Sequence, residues 1–196
     1  MWQIRVPDAT PPAVASSAFA FATAPHRLSF RFSEDVFNTL SLSDITLQNL
    51  TTGSTVPSAS IGFTYDRRTD TATLTFPGFS QGVLPDGRYR ATINGATVMD
   101  GAGNPMAGSF TFEFTFLRGD ANGDGRVNLD DFNILAANFG QSPRNFTQGD
   151  FNYDNVVNLD DFNILASRFG QVVSPAAATQ PVHRNPDDDR FADLLV

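Results

Sequence analysis

Residues 109–140 read SFTFEFTFLRGDANGDGRVNLDDFNILAANFG, and the periodicity of the chain changes inside that stretch. Up to Phe116 the pattern is two-fold: Phe110, Phe112, Phe114 and Phe116 alternate with small, polar or acidic residues, as in a strand with one buried face. From Asp120 onward side-chain oxygens recur at alternate residues, and a run with apolar residues three and four apart follows. The boundary between Phe116 and Asp120 is therefore tight.

The second half of the stretch returns at 149–170 as GDFNYDNVVNLDDFNILASRFG. Aligned at Asp120 and Asp150, the segments 119–141 and 149–171 differ at six of twenty-three positions, which points to duplication. Within each copy the oxygen-bearing residues fall at loop positions 1, 3, 5, 9 and 12: Asp120, Asn122, Asp124, Asn128 and Asp131, then Asp150, Asn152, Asp154, Asn158 and Asp161. A hard cation such as calcium takes about 6–8 oxygens at about 2.3–2.6 Å, and alternate residues of one tight loop can point them inward together. The main-chain carbonyls of Arg126 and Val156 would serve at position 7, and Gly125 supplies the sharp turn at position 6. Two departures stand out: position 12 is Asp rather than Glu in both copies, and position 6 of the second is Asn155. The expectation is two calcium ions, with each loop poorly ordered without its metal. Asx-rich turns that cap helices without metal are the bland alternative.

Past each loop, Asn128 can cap a helix with Asp131 three residues on. Phe132, Leu135, Ala136 and Phe139 then make the expected core face, and Gly140 and Gly170 end the two helices in the left-handed region. Val127 and Val157, at position 8, are expected where the paired loops touch. The first loop is entered from a strand and the second from QSPRNFTQ, and neither segment carries a helical pattern, so each unit is a loop with an exit helix only.

Upstream, RLSFRF, ITLQNL, IGFTY, TATLTF and YRATI repeat the two-fold alternation, separated by turn clusters such as TTGST, DRRTD, LPDG and DGAGNP. About seven short strands without helices suggest an antiparallel sandwich. Tyr89, just after an Asp-Gly turn, is either the tyrosine corner of a Greek-key crossover or an ordinary interior tyrosine.

The net charge is −8, and its acidity is concentrated in 119–170, where eight aspartates face three arginines. That distribution argues against nucleic acid, which calls for a basic stripe, and toward cations or a basic partner. No run approaches the ~20 apolar residues of a membrane helix, so no membrane insertion is expected. The start lacks the features of a secretory signal, so the protein stays inside or this is the mature or downstream part of a longer one. Cysteine is absent, which removes disulfides and thiolate metal sites.

Two resemblances extend this reading. FSEDV at Phe32–Val36 and VMDGAGNPM at Val98–Met106 resemble the bacterial Ig-like domains of surface-layer and secreted proteins, which implies a spacer or adhesive module over residues 11–117. Residues 119–170 resemble the dockerin family, type I: calcium-loaded modules that plug secreted polysaccharide-degrading enzymes and surface proteins into cohesin domains. The resemblance implies a cohesin-like partner contacted by Leu129, Asp130, Leu159 and Asp160, where many members carry Ser-Thr instead. Helical geometry adds Ile134 beside Asp130 and Ala137, and Ile164 beside Asp160 and Ser167, as an outward patch. Equally, each Ile could pack on the other repeat.

The fold expected is mostly β with a small α module: an antiparallel Ig-like β-sandwich followed by a two-repeat, EF-hand-like (dockerin) calcium-binding module. The domains are an extension at 1–10, the sandwich at 11–117, the module at 118–171, and a linker with an acidic tail at 172–196. No phosphate loop or nucleophile elbow appears, and the only histidines are His26 and His183, so no enzyme is expected within these residues. The function expected is calcium-dependent docking by a monomer at the cell surface or outside the cell. A calcium-stiffened structural or adhesive module without a cohesin partner is the rival.

Overall fold

The computed structural model describes residues 8–173; the acidic tail, with Phe191, Leu194 and Leu195, lies outside the described residues. The two-fold patterning becomes eight strands: β1 (Val14–Ala20), β2 (Arg27–Phe32), β3 (Ile45–Asn49), β4 (Ser54–Thr55), β5 (Gly62–Asp66), β6 (Thr71–Thr75), β7 (Gly87–Ile93) and β8 (Phe110–Phe116). They form two four-stranded antiparallel sheets, ordered β1-β2-β6-β5 and β4-β3-β7-β8. Six were legible as alternation; β1 (VASSAFA) and the two-residue β4 were not.

The alternation decides what is inside. Leu28, Phe30 and Phe32 of β2 lie within the sandwich, and across it sit Leu47 of β3 and Tyr89, Ala91 and Ile93 of β7. Burial of each large apolar side chain contributes roughly 1.5–3 kcal/mol. Tyr89 stacks on its cross-strand partner Phe114, with ring centroids 5.3 Å apart. Its hydroxyl donates to the Pro85 carbonyl (2.8 Å), four residues upstream, so it is the tyrosine corner.

Phe116, at the end of β8, belongs to a second core together with Leu117, Ala121, Val127, Leu135, Phe146, Phe151, Val157 and Leu165. Phe19 and Phe21 from the sandwich pack against it. The chain therefore runs from one core into the next without an intervening linker. Two helices are set around this core, α1 (Leu129–Asn138) and α2 (Leu159–Arg168). Asn128 and Asn158 cap them by accepting the N–H of Asp130 and Asp160. Phe132 and Phe162 meet edge to face at 6.3 Å.

Three expectations about the repeats change. Phe139 is 52% exposed and Ala136 is exposed as well, because α1 ends at Asn138 and Phe139 leaves it with extended ψ (133°). Val127 and Val157 hydrogen-bond not to each other but to the residues past the other repeat's helix: Val127 exchanges bonds with Gly170 and Gln171, and Val157 with Gly140 and Gln141. Gly140 and Gly170 do adopt positive φ (75° and 84°), and that turn aims their N–H groups at the opposite valine. The approach to the second loop is not wholly irregular, since Phe146–Gln148 form one 3-10 turn. Val172 and Val173 continue into this module, where Val173 donates to the Gly125 carbonyl (2.8 Å).

Candidate metal centres

Each loop is built around its first aspartate. Asp120 is 4% exposed, and its oxygens accept the N–H groups of Gly123 (2.7 Å), Asp124 (3.1 Å) and Gly125 (2.8 Å). Asn122 accepts from Asp124 (3.0 Å), and Asp124 accepts from Arg126 (2.9 Å). From the first turn of α1, the fully buried Asp131 accepts the N–H of Ala121 (2.8 Å) with one oxygen and that of Asn128 (2.9 Å) with the other. The second loop repeats the scheme: Asp150 accepts from Asp154 and Asn155, Asn152 from Asp154, Asp154 from Val156, and Asp161 from Phe151 and Asn158. A carboxylate has about four lone-pair sites, so these bonds orient the side chains without using up their acceptor capacity.

The electrostatics are those of crowded acids. Burial, together with the charges of Asp131 and Asp124, raises the Asp120 carboxyl to about 6, against the pull of the loop N–H groups. Burial and the charges of Asp161 and Asp154 raise Asp150, and burial and the Asp154 charge raise Asp161. Among the described residues no arginine pairs with a loop carboxylate; the ion pairs go to Asp35, Asp86 and Glu113. The donor set of Asp120, Asn122, Asp124, Asn128 and Asp131 with the Arg126 carbonyl, and its counterpart ending in Val156, Asn158 and Asp161, is hard oxygen throughout. It fits a divalent cation such as calcium. In neither loop do all three carboxylates lie within 4.8 Å of one another.

One acidic group escaped the sequence reading. Asp8, Glu34 and Asp100 come within 4.8 Å of one another on the sandwich, the only three acids among the described residues to do so. Burial and the charges of Asp100 and Asp8 raise Glu34. Its signal lay in FSEDV and VMDGAGNPM, read only as fold markers.

The residues named for a partner face lie at two depths. Leu129 and Leu159 are 60% and 61% exposed, and Asp130, Asp160, Ala137 and Ser167 are exposed beside them. Ile134 and Ile164 depart from the outward reading: both are half-buried and packed against the second core. A small two-helix unit buries what it can.

A family model described as bacterial Ig-like domain matches residues 8–116. No curated protein matches the chain. Among solved structures, the type II cohesin-dockerin domain from Bacteroides cellolosolvens is similar at 46% identity, covering 31% of this chain and 97% of that one, with a TM-score of 0.28. The crystal structure of native alpha-2-macroglobulin from Escherichia coli spanning domains MG0-NIE-MG1 is 9% identical over 55% of this chain and 32% of that one, with a TM-score of 0.41. A cryo-EM reconstruction of native E. coli alpha-2-macroglobulin is 12% identical over 55% of this chain and 6% of that one, with a TM-score of 0.42. Through the match over residues 8–116, more than half its length, the chain belongs to the bacterial Ig-like domain family.

Proposed function

We propose that residues 118–171 are a calcium-dependent docking module of the dockerin kind, which binds a cohesin-type receptor domain, and that the Ig-like sandwich is its spacer. The parent would be a secreted or cell-surface protein linked to polysaccharide breakdown, and this part of it carries no catalysis. The observation that carries the reading is the doubled loop, in which buried carboxylates raise one another's pKa and, among the described residues, no arginine pairs with them. Calcium, when bound, supplies the positive charge that offsets this repulsion. The chain's own part is to hold the ligands: N–H groups orient each carboxylate, and α1 and α2 deliver Asp131 and Asp161 from their first turns. Millimolar calcium outside cells supports an extracellular setting.

Docking is supported by the exposed Leu129–Asp130 and Leu159–Asp160 pairs, presented twice at the start of a helix. A leucine left open beside an acid suits a partner with both apolar and basic contacts. The test is a pull-down from the secreted proteins of the source organism, with calcium and with chelator. Recovery of a cohesin-like protein in calcium alone, lost on Leu129→Ala with Leu159→Ala, is expected. Calcium binding without any such partner would favour the structural role, which the core shared with the sandwich also suits.

A further inference from the structure

The two repeats differ at six positions, and at three of them a larger side chain in the second copy reaches toward the rest of the protein. Phe151 stands where the first copy has Ala121, Tyr153 where it has Gly123, and Arg168 where it has Asn138. Phe151 is fully buried, its ring edge-on to Phe146 at 5.2 Å. Arg168 pairs with Asp86 (2.8 Å), the residue before β7, whose other oxygen accepts the N–H of Arg118 (2.9 Å).

Tyr153 makes the longest reach. It stacks on Phe146 at 5.5 Å and lies edge-on to His26 at 5.7 Å. The Leu84 N–H donates to His26 Nδ1 (3.2 Å), so the ring proton is on Nε2. His26 Nε2–H then donates to Tyr153 Oη (2.7 Å), and the Tyr153 hydroxyl donates to the Phe21 carbonyl (3.0 Å). A continuous line of bonds thus joins the sandwich backbone to the interior of the second loop. The loop holds Tyr153 at φ 64° and Asn155 at φ 69°, in the left-handed region, where the first loop has Gly123 and Gly125. That conformation disfavours an L side chain, so the second loop keeps it only where surrounding contacts offset the strain.

We propose that the second loop is a coupling loop: occupation of its oxygen site by a divalent cation and seating of Tyr153 between Phe146, His26 and Phe21 form one equilibrium, whereas the first loop loads without this link. The proposal rests on the cation reading given above. Tyr153 sits between the ligands Asn152 and Asp154, so the backbone turn that gathers those side chains also sets where the ring points. Linkage makes the effect reciprocal: whatever factor the ion adds to seating, seating adds to ion affinity.

The test uses the full chain with calcium as the probe. Calorimetry on wild type, Tyr153→Gly and Tyr153→Phe counts the ions and their affinities, and hydrogen exchange follows residues 19–27 and 83–88. The expected result is that Tyr153→Gly still binds two ions but binds one of them about 5- to 100-fold more weakly. Tyr153→Phe, which keeps the stacking and loses the hydroxyl bonds, should fall between. Calcium should slow exchange in those sandwich segments in wild type and in Asp120→Asn, and fail to do so in Asp150→Asn. Wild-type affinity at both sites in Tyr153→Gly and Tyr153→Phe, or calcium-dependent protection that survives Asp150→Asn, overturns the coupling and leaves the metal reading standing. Absence of calcium binding in wild type overturns both.

Discussion

His26 shows how one buried side chain ties structure to solution behaviour. It is fully buried at the junction of the sandwich and the second loop, and burial, reinforced by the positive charge of Arg118, lowers its pKa to about 4. Between pH 6.5 and 4 the unfolded chain takes up a proton that the folded chain refuses, so stability falls as pH drops through that window and is unaffected above it. Asp120 acts with the opposite sign, since its carboxyl is raised to about 6 in the folded protein and its protonation favours folding on the way down. The two are separated by comparing wild type with His26→Gln in saturating calcium. The stability advantage of wild type, measured by urea unfolding, should shrink between pH 7 and pH 4.5. An advantage that stays constant would contradict this account of His26. The histidine was visible in the sequence only as a residue leading into a strand, because what buries it comes from residues 116 and 153, far along the chain.

Elements were legible in proportion to how far local pattern decides them. β2, β3 and β5 to β8 carry clear alternation or β-branched and aromatic runs, and each formed where expected. β1 reads VASSAFA, an edge strand with a bulge near its start and small residues on both faces, so its period is faint. The α-helices were placed by their caps, yet their last apolar residue was misjudged: the stripe through Phe139 presumes that the helix continues, and the chain turns off at Asn138 to let Gly140 bond to Val157. Tertiary bonding set that end, which a heptad-like count does not contain. Gly149, at the entry to the second loop, gives an element-scale prediction. Its φ is 101°, and a Cβ there would lie 2.8 Å from the Leu135 Cα on α1. Gly149→Ala should destabilise the protein by about 2 kcal/mol or more, from left-handed strain of roughly 1–2 kcal/mol plus the displacement of α1. Thermal unfolding checks it, and a melting temperature equal to that of wild type would contradict the close approach.

At the scale of the molecule, the sequence divides sharply at Phe116 while the packing does not. Phe116 lies at the end of β8 and in the second core, Phe19 touches both cores, and Phe146 donates its N–H to the Ala22 carbonyl (3.0 Å). Within the second core each repeat also closes the other's loop, through the Gly-Gln pairs that follow the helices. The tight boundary expected between spacer and docking unit is thus a packed joint, with aromatic side chains from both sides sharing one core. The oxygen spacing of the loops could be read directly, since the order of side chains along a short loop is a local property. The aromatic joint could not, since nothing in a strand or loop pattern says which distant surface a phenylalanine or tyrosine will meet. The Gly-to-Tyr difference between the repeats was its clearest local trace.

The account depends on divalent metal at the two loops, and calorimetric titration of the full chain with calcium, followed in parallel by far-ultraviolet circular dichroism, tests it most directly. Two ions per chain and a gain in helical signal are predicted, one ion being lost with Asp131→Asn and the other with Asp161→Asn. No binding heat and an unchanged spectrum at millimolar calcium would contradict the claim.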